Sequence, residues 1–184
     1  MVELLGLASF LVGFLAFLSS LFYLVSSISL FRLYLDVGGE LWFRLSLGFA
    51  LLSLSQASMV FSMVVESASL SYALYTTAPA LAVSGVYMIW SSRRLTQAMA
   101  LTLLTLAPSS LDFVASALSA LAARGFRGHA KIAFTLISIA HLGRAIGTLT
   151  LPGWLPASLL IASEALRALG ALYMAVWYAK RVLV

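Results

Sequence analysis

The stretch Leu4–Leu35, LLGLASFLVGFLAFLSSLFYLVSSISLFRLYL, holds a single charged side chain, Arg32, and no proline. As a helix rising 1.5 Å per residue it reaches about 48 Å, well beyond the roughly 30 Å of a bilayer's hydrocarbon core. Such a run reads as a membrane-spanning helix that tilts or protrudes. The rest of the chain follows suit: of 184 residues, 62% are hydrophobic and 9% charged, against about 45–50% and about 25% in soluble domains. The sequence therefore predicts an all-α, polytopic integral membrane helix bundle, one transmembrane domain over 1–184, multi-pass in the cell membrane.

Outward from the first segment, Asp36-Val37-Gly38-Gly39-Glu40 supplies turn chemistry. Segment 2 runs from Leu41 to Val65 and closes at Glu66-Ser67, and segment 3 runs from Leu70 to Trp90 with Pro79 in mid-span. Proline removes a backbone donor, so a kink is expected there. Segment 4, Gln97 to Ala123, is interrupted by Pro108-Ser109-Ser110 and Asp112, and reads either as a kinked span or as a re-entrant hairpin. Segment 5 runs from Ala130 to Leu151, the charge-free turn Pro152–Pro156 follows, and segment 6 runs from Ala157 to Tyr178. Trp42, Trp90, Trp154 and Trp177 fall near segment ends, as an aromatic belt requires.

The expected plan is six transmembrane helices, with five plus a re-entrant segment as the alternative. The two halves, 1–95 and 96–184, share a weak repeat. Leu47–Gln56 lies over Ile132–His141 without a gap; after a small insertion, Tyr87-Met88 meets Tyr173-Met174 and Trp90 meets Trp177. A three-plus-three duplication with six spans gives an inverted repeat, a common transporter plan. Six spans also split the basic residues almost evenly: Arg124, Arg127, Lys131, Lys180 and Arg181 against Arg32, Arg44, Arg93 and Arg94. A re-entrant segment 4 puts all nine on one side, in better accord with the positive-inside rule.

Composition excludes much. The chain has no cysteine, which removes disulfides, thiolate metal sites and thiol nucleophiles together. Asparagine is absent and glutamine occurs only at Gln56 and Gln97, which fits a thermophilic source or a GC-rich genome. The net charge of +5 comes mostly from residues at segment ends, so it points to interface anchoring and not to nucleic acid. Glu3 in place of a basic start, before an over-long apolar run, does not read as a cleavable signal.

Chemistry resides in the intramembrane ionisable side chains Asp112, His141, Arg144, Glu164 and Arg167. His141 and Arg144 are three apart on segment 5, as are Glu164 and Arg167 on segment 6, so each pair shares a helix face. Both pairs lie at similar depth from the turn that joins the segments, so they are expected to form one cluster. With Asp112 its formal charge is balanced; without it one positive charge remains, suited to a small anionic solute. The competing reading is structural, with the charges as helix-helix ion pairs.

Gly143 and Gly147 make a small-xxx-small pair for close helix packing, within the chain, in a homodimer or against another membrane subunit. His129 and His141 are about 18 Å apart along a helix, too far for one metal or one haem within the chain. No cofactor or metal site is expected, and no nucleophile elbow, P-loop, dinucleotide or zincin motif occurs. In size and six-span outline the chain resembles the small substrate-binding subunits of modular vitamin transporters, without a shared motif. Two functions follow: a transport-type or solute-binding protein that uses the cluster for an anion or for protons, and a non-catalytic structural or assembly subunit.

Overall fold

The computed structural model describes residues 2–91, 108–149 and 154–182. Among them are six helices and no strand: α1 (Val2–Val37), α2 (Glu40–Val64), α3 (Ala68–Ser91), α4 (Pro108–Gly125), α5 (His129–Leu149) and α6 (Trp154–Val182). Five of them, all but α4, are long and apolar enough to cross a membrane. The α1–α2 turn is made by Gly38 and Gly39 at φ 73° and 97°, a region that side chains with a Cβ rarely enter. The helix α3 runs without interruption through Pro79, and Ser55 donates to the neighbouring Ala78 carbonyl at 2.6 Å.

The helices close into a ring in which each packs against the next and α6 returns to α1. Serine hydroxyls fasten two of the seams by reciprocal donation to backbone carbonyls. Ser20 and Ser53, and Ser27 and Ser46, join α1 to α2, while Ser116 and Ser138 join α4 to α5. In lipid such bonds satisfy both the hydroxyl and close backbone contact, which apolar side chains alone do not provide.

Side chains of α2 and α5 meet through the middle of the ring. The rings of Phe49 and Phe134 are 6.4 Å apart, and Arg144 Nη1 lies 2.9 Å from Met59 Sδ. Both contacts join residues 85 positions apart, which makes α2 and α5 parallel. Since α4 and α6 each run antiparallel to α5, by the pairs Asp112–His141 and Ser116–Ser138 and by Gly143–Ser163 and Gly170–Ala133, the direction of every helix is set. Helices α1, α3, α4 and α6 run one way, α2 and α5 the other. The α1–α3 and α4–α6 groups therefore run in the same sense, and the inverted arrangement expected from six alternating spans is not the one present.

The same offset recurs in one close helix crossing of each half. A Cβ on Gly85 would lie 2.7 Å from the Gly48 carbonyl oxygen, with Leu52 and Leu51 next; one on Gly170 would lie 3.0 Å from the Ala133 carbonyl oxygen, with Ile137 and Leu136 next. Each residue of the second set is 85 positions beyond its counterpart. The spatial correspondence therefore carries no insertion before Tyr87, contrary to the sequence alignment. Ile89 matches Met174, both fully buried, and the Tyr-Met identity lies one step off the buried face.

Helix direction also settles the basic residues. Arg32, Arg44, Arg124, Arg127, Lys131, Lys180 and Arg181 all sit at one end of the bundle, and Glu66 sits at the other. Ser91 ends α3 at the basic end, whereas Pro108 begins the described part of α4 at the opposite end. Of segment 4, expected from Gln97 to Ala123, the described part thus runs from the end opposite the basic residues toward the basic end, and the choice between a kinked span and a re-entrant hairpin falls on residues outside those described. Arg93, Arg94, the start of that segment and, in the Pro152–Pro156 turn, Pro152 and Gly153 lie outside the described residues.

Candidate functional site

Each ionisable side chain expected in the cluster reaches it. Asp112 comes from the first turns of α4, His141 and Arg144 from α5, and Glu164 and Arg167 from α6; none is more than 3% exposed. The i, i+3 spacing sets both members of each pair on the inner face of its helix. All five stand toward the end of the bundle opposite the basic residues, each within about three to four turns of a helix terminus there.

The contacts are mutual. His141 Nδ1 donates to Asp112 Oδ1 at 2.8 Å, the tautomer that a carboxylate acceptor requires. Arg144 Nε is 3.2 Å from Asp112 Oδ2, and its Nη1 is 3.7 Å from Glu164 Oε1. Arg167 Nη1 bridges both oxygens of Glu164, at 2.7 and 3.0 Å, and its Nη2 lies 3.4 Å from the His141 ring nitrogen. Two carboxylates and two guanidiniums, with the imidazole counted as uncharged, sum formally to zero. The surplus positive charge that suited an anion is thus absent, because Asp112 belongs to the cluster.

Three further residues complete the site and were not singled out as its members from sequence. Gln56 Oε1 accepts from Arg167 Nη1 at 3.3 Å, Met59 Sδ faces Arg144, and the Tyr75 ring lies 5.6 Å from the Arg144 guanidinium carbon. The sequence did carry a signal for two of them: the repeat alignment sets Gln56 over His141 and Met59 over Arg144. Residues that occupy equivalent places in two parallel halves face each other near the line relating them.

Some donors remain unspent. Arg144 Nη2, Arg167 Nε, Tyr23 Oη and Ser119 Oγ are buried without a hydrogen-bond partner among the described residues. Gly143 makes the expected close approach, since a Cβ there would meet Ser163 Oγ, and Gly147 is buried on the same helix. His129 is exposed beside Tyr173, and Glu40 pairs with Arg44 on the surface. No three His, Asp or Glu side chains among the described residues are grouped to hold a metal ion.

The chemistry open to this arrangement is charge neutralisation, helix registration and proton exchange between Asp112 and His141. The chain matches no family model, no curated sequence and no solved structure, so its site is read from its own geometry as that of a helical, multi-pass membrane bundle.

Proposed function

We propose that this is a non-catalytic multi-pass protein of the cell membrane, a structural or assembly subunit whose intramembrane charges clamp α4, α5 and α6 onto α2. One observation carries the reading: the formal charges of Asp112, Arg144, Glu164 and Arg167 sum to zero, and neither these four nor His141 is more than 3% exposed. Charges withdrawn from water are tolerated only when paired and hydrogen-bonded, and their best-attested use is to fix register, because a slipped helix would strand a charge. The basic end faces the cytoplasm on this reading, by the positive-inside rule. The recurrence of contacts at an offset of 85 supports duplication of a three-helix unit, with the charges concentrated in the second copy.

The lack of native cysteine makes the test clean. A cysteine placed at Ala140 or Ala168, both buried beside the cluster, is expected to resist a membrane-impermeant maleimide from either side in folded protein. Labelling from one side would show that water reaches the charges and would overturn the clamp.

A second reading, transport of a small solute or of protons, draws on the unspent donors of Arg144 and Arg167. A solute offering acceptors to them would have to open the cluster first. That reading requires the labelling which the clamp forbids.

A further inference from the structure

A cavity of about 270 Å³ opens between α5 and α6 at the basic end, lined by His129, Leu172, Tyr173, Val176, Trp177 and Lys180. Leu172 and Val176 face outward from a membrane-spanning helix, where lipid covers them. Lys180 stands two helical turns above Leu172, about 12 Å along the axis. Tyr173 and Trp177 lie between, residue types that settle at the level of lipid headgroups. The His129 and Tyr173 rings, 5.9 Å apart, form one wall.

The charged side chains that α5, α6 and the α4–α5 turn place at this end are basic. Arg127 and Lys131 flank His129, both exposed. The sequence after Asp112 contains one further acid, Glu164, and that acid is buried in the cluster near the other end. A cavity on α1 and α2 makes a contrast. There Arg32 is the cation at the wall, and the adjoining turn carries Asp36 and Glu40, the latter already paired with Arg44.

We infer that the α5–α6 groove is a binding site for an anionic phospholipid, its phosphate held by Lys180 and His129, its glycerol region against Tyr173 and Trp177, and its acyl chain along Leu172 and Val176. The apolar depth below the cations distinguishes such a site from a surface that only collects counterions. It lies in the leaflet that the positive-inside rule makes cytoplasmic, where anionic lipids draw juxtamembrane cations. The inference rests on the membrane reading of the fold and not on the role of the buried cluster.

The test uses a chain that keeps Trp177 alone, with Trp42, Trp90 and Trp154 replaced by phenylalanine, in vesicles containing brominated phosphatidylglycerol or brominated phosphatidylcholine. Bromine quenches an indole it touches. Phosphatidylglycerol is expected to quench Trp177 with about fivefold preference, and Lys180→Gln with His129→Gln is expected to abolish that preference. Equal quenching by the two lipids would overturn the site, whereas quenching by neither would overturn the membrane reading itself. Inorganic phosphate added to phosphatidylglycerol vesicles is expected to leave the quenching unchanged; loss of the preference would assign the groove to free phosphate. Native mass spectrometry of the unsubstituted chain, extracted with equal amounts of both lipids, tests the same site without tryptophan changes: a retained phosphatidylglycerol adduct supports it, and absence of the adduct refutes it.

Discussion

Replacing Asp112 by asparagine keeps the volume and removes one negative charge from the bundle's interior. The amide would lose the ion pair with Arg144 Nε at 3.2 Å, and the whole cluster would change from neutral to one positive charge. At an effective dielectric constant of about 20, unit charges about 4 Å apart attract by about 4 kcal/mol. Measured losses on breaking buried pairs are similar, about 3–5 kcal/mol. Arg144 would retain Glu164 at 3.7 Å, but that carboxylate is already held by Arg167 at 2.7 Å. A destabilisation of about 3 kcal/mol or more is therefore expected. Combining Asp112→Asn with Arg144→Gln restores neutrality, so the double variant is expected to fall short of the summed single losses by at least about 2 kcal/mol. Unfolding in mixed micelles with rising dodecyl sulfate, followed by far-ultraviolet circular dichroism, measures all three. A loss below about 1 kcal/mol in Asp112→Asn, or additivity in the double variant, would refute the claim that these charges support one another.

Gly85→Ala is expected to cost about 1–3 kcal/mol, because its new Cβ meets the Gly48 backbone oxygen, which cannot rotate away. Gly6→Ala, which meets nothing within 4 Å, is expected to cost no stability in the same assay. In oriented vesicles, a cysteine at Arg127 is expected to react with impermeant maleimide only from the cytoplasmic face and one at Glu66 only from the opposite face; reaction of both from one face would contradict the helix directions.

The class of fold and the position of most helices were legible in the sequence because both depend on local quantities, hydropathy and turn chemistry. The described helix ends agree with those expected within a few residues; the expected start of segment 4 at Gln97 lies outside the described residues. The five ionisable members of the cluster were legible for the same reason that they are costly: an ionic group in a bilayer must find a partner, and spacing put two pairs on inward faces. Relative direction was harder, because hydrophobicity has no polarity along the helix axis. The distribution of arginine and lysine did contain it, and a re-entrant segment 4 was the reading that respected that distribution. Gln56 and Met59 were not assigned to the cluster because an uncharged side chain is far cheaper to bury than an ionic one, and the repeat alignment that set them over His141 and Arg144 gave their equivalence and not their contacts. Only their placement opposite Arg167 and Arg144 reveals that the uncharged half supplies acceptors to the charged half.

The zero net charge of the cluster has a consequence for the response to a transmembrane voltage. An elementary charge moved across the full field gains or loses about 2.3 kcal/mol per 100 mV, but a group of two arginines and two carboxylates moving together does no net work. While the five side chains stay joined, membrane potential exerts no net force along the normal on the centre of this bundle. Adding a single proton changes that: the same group becomes a cation within the field, and voltage then acts on it as a unit.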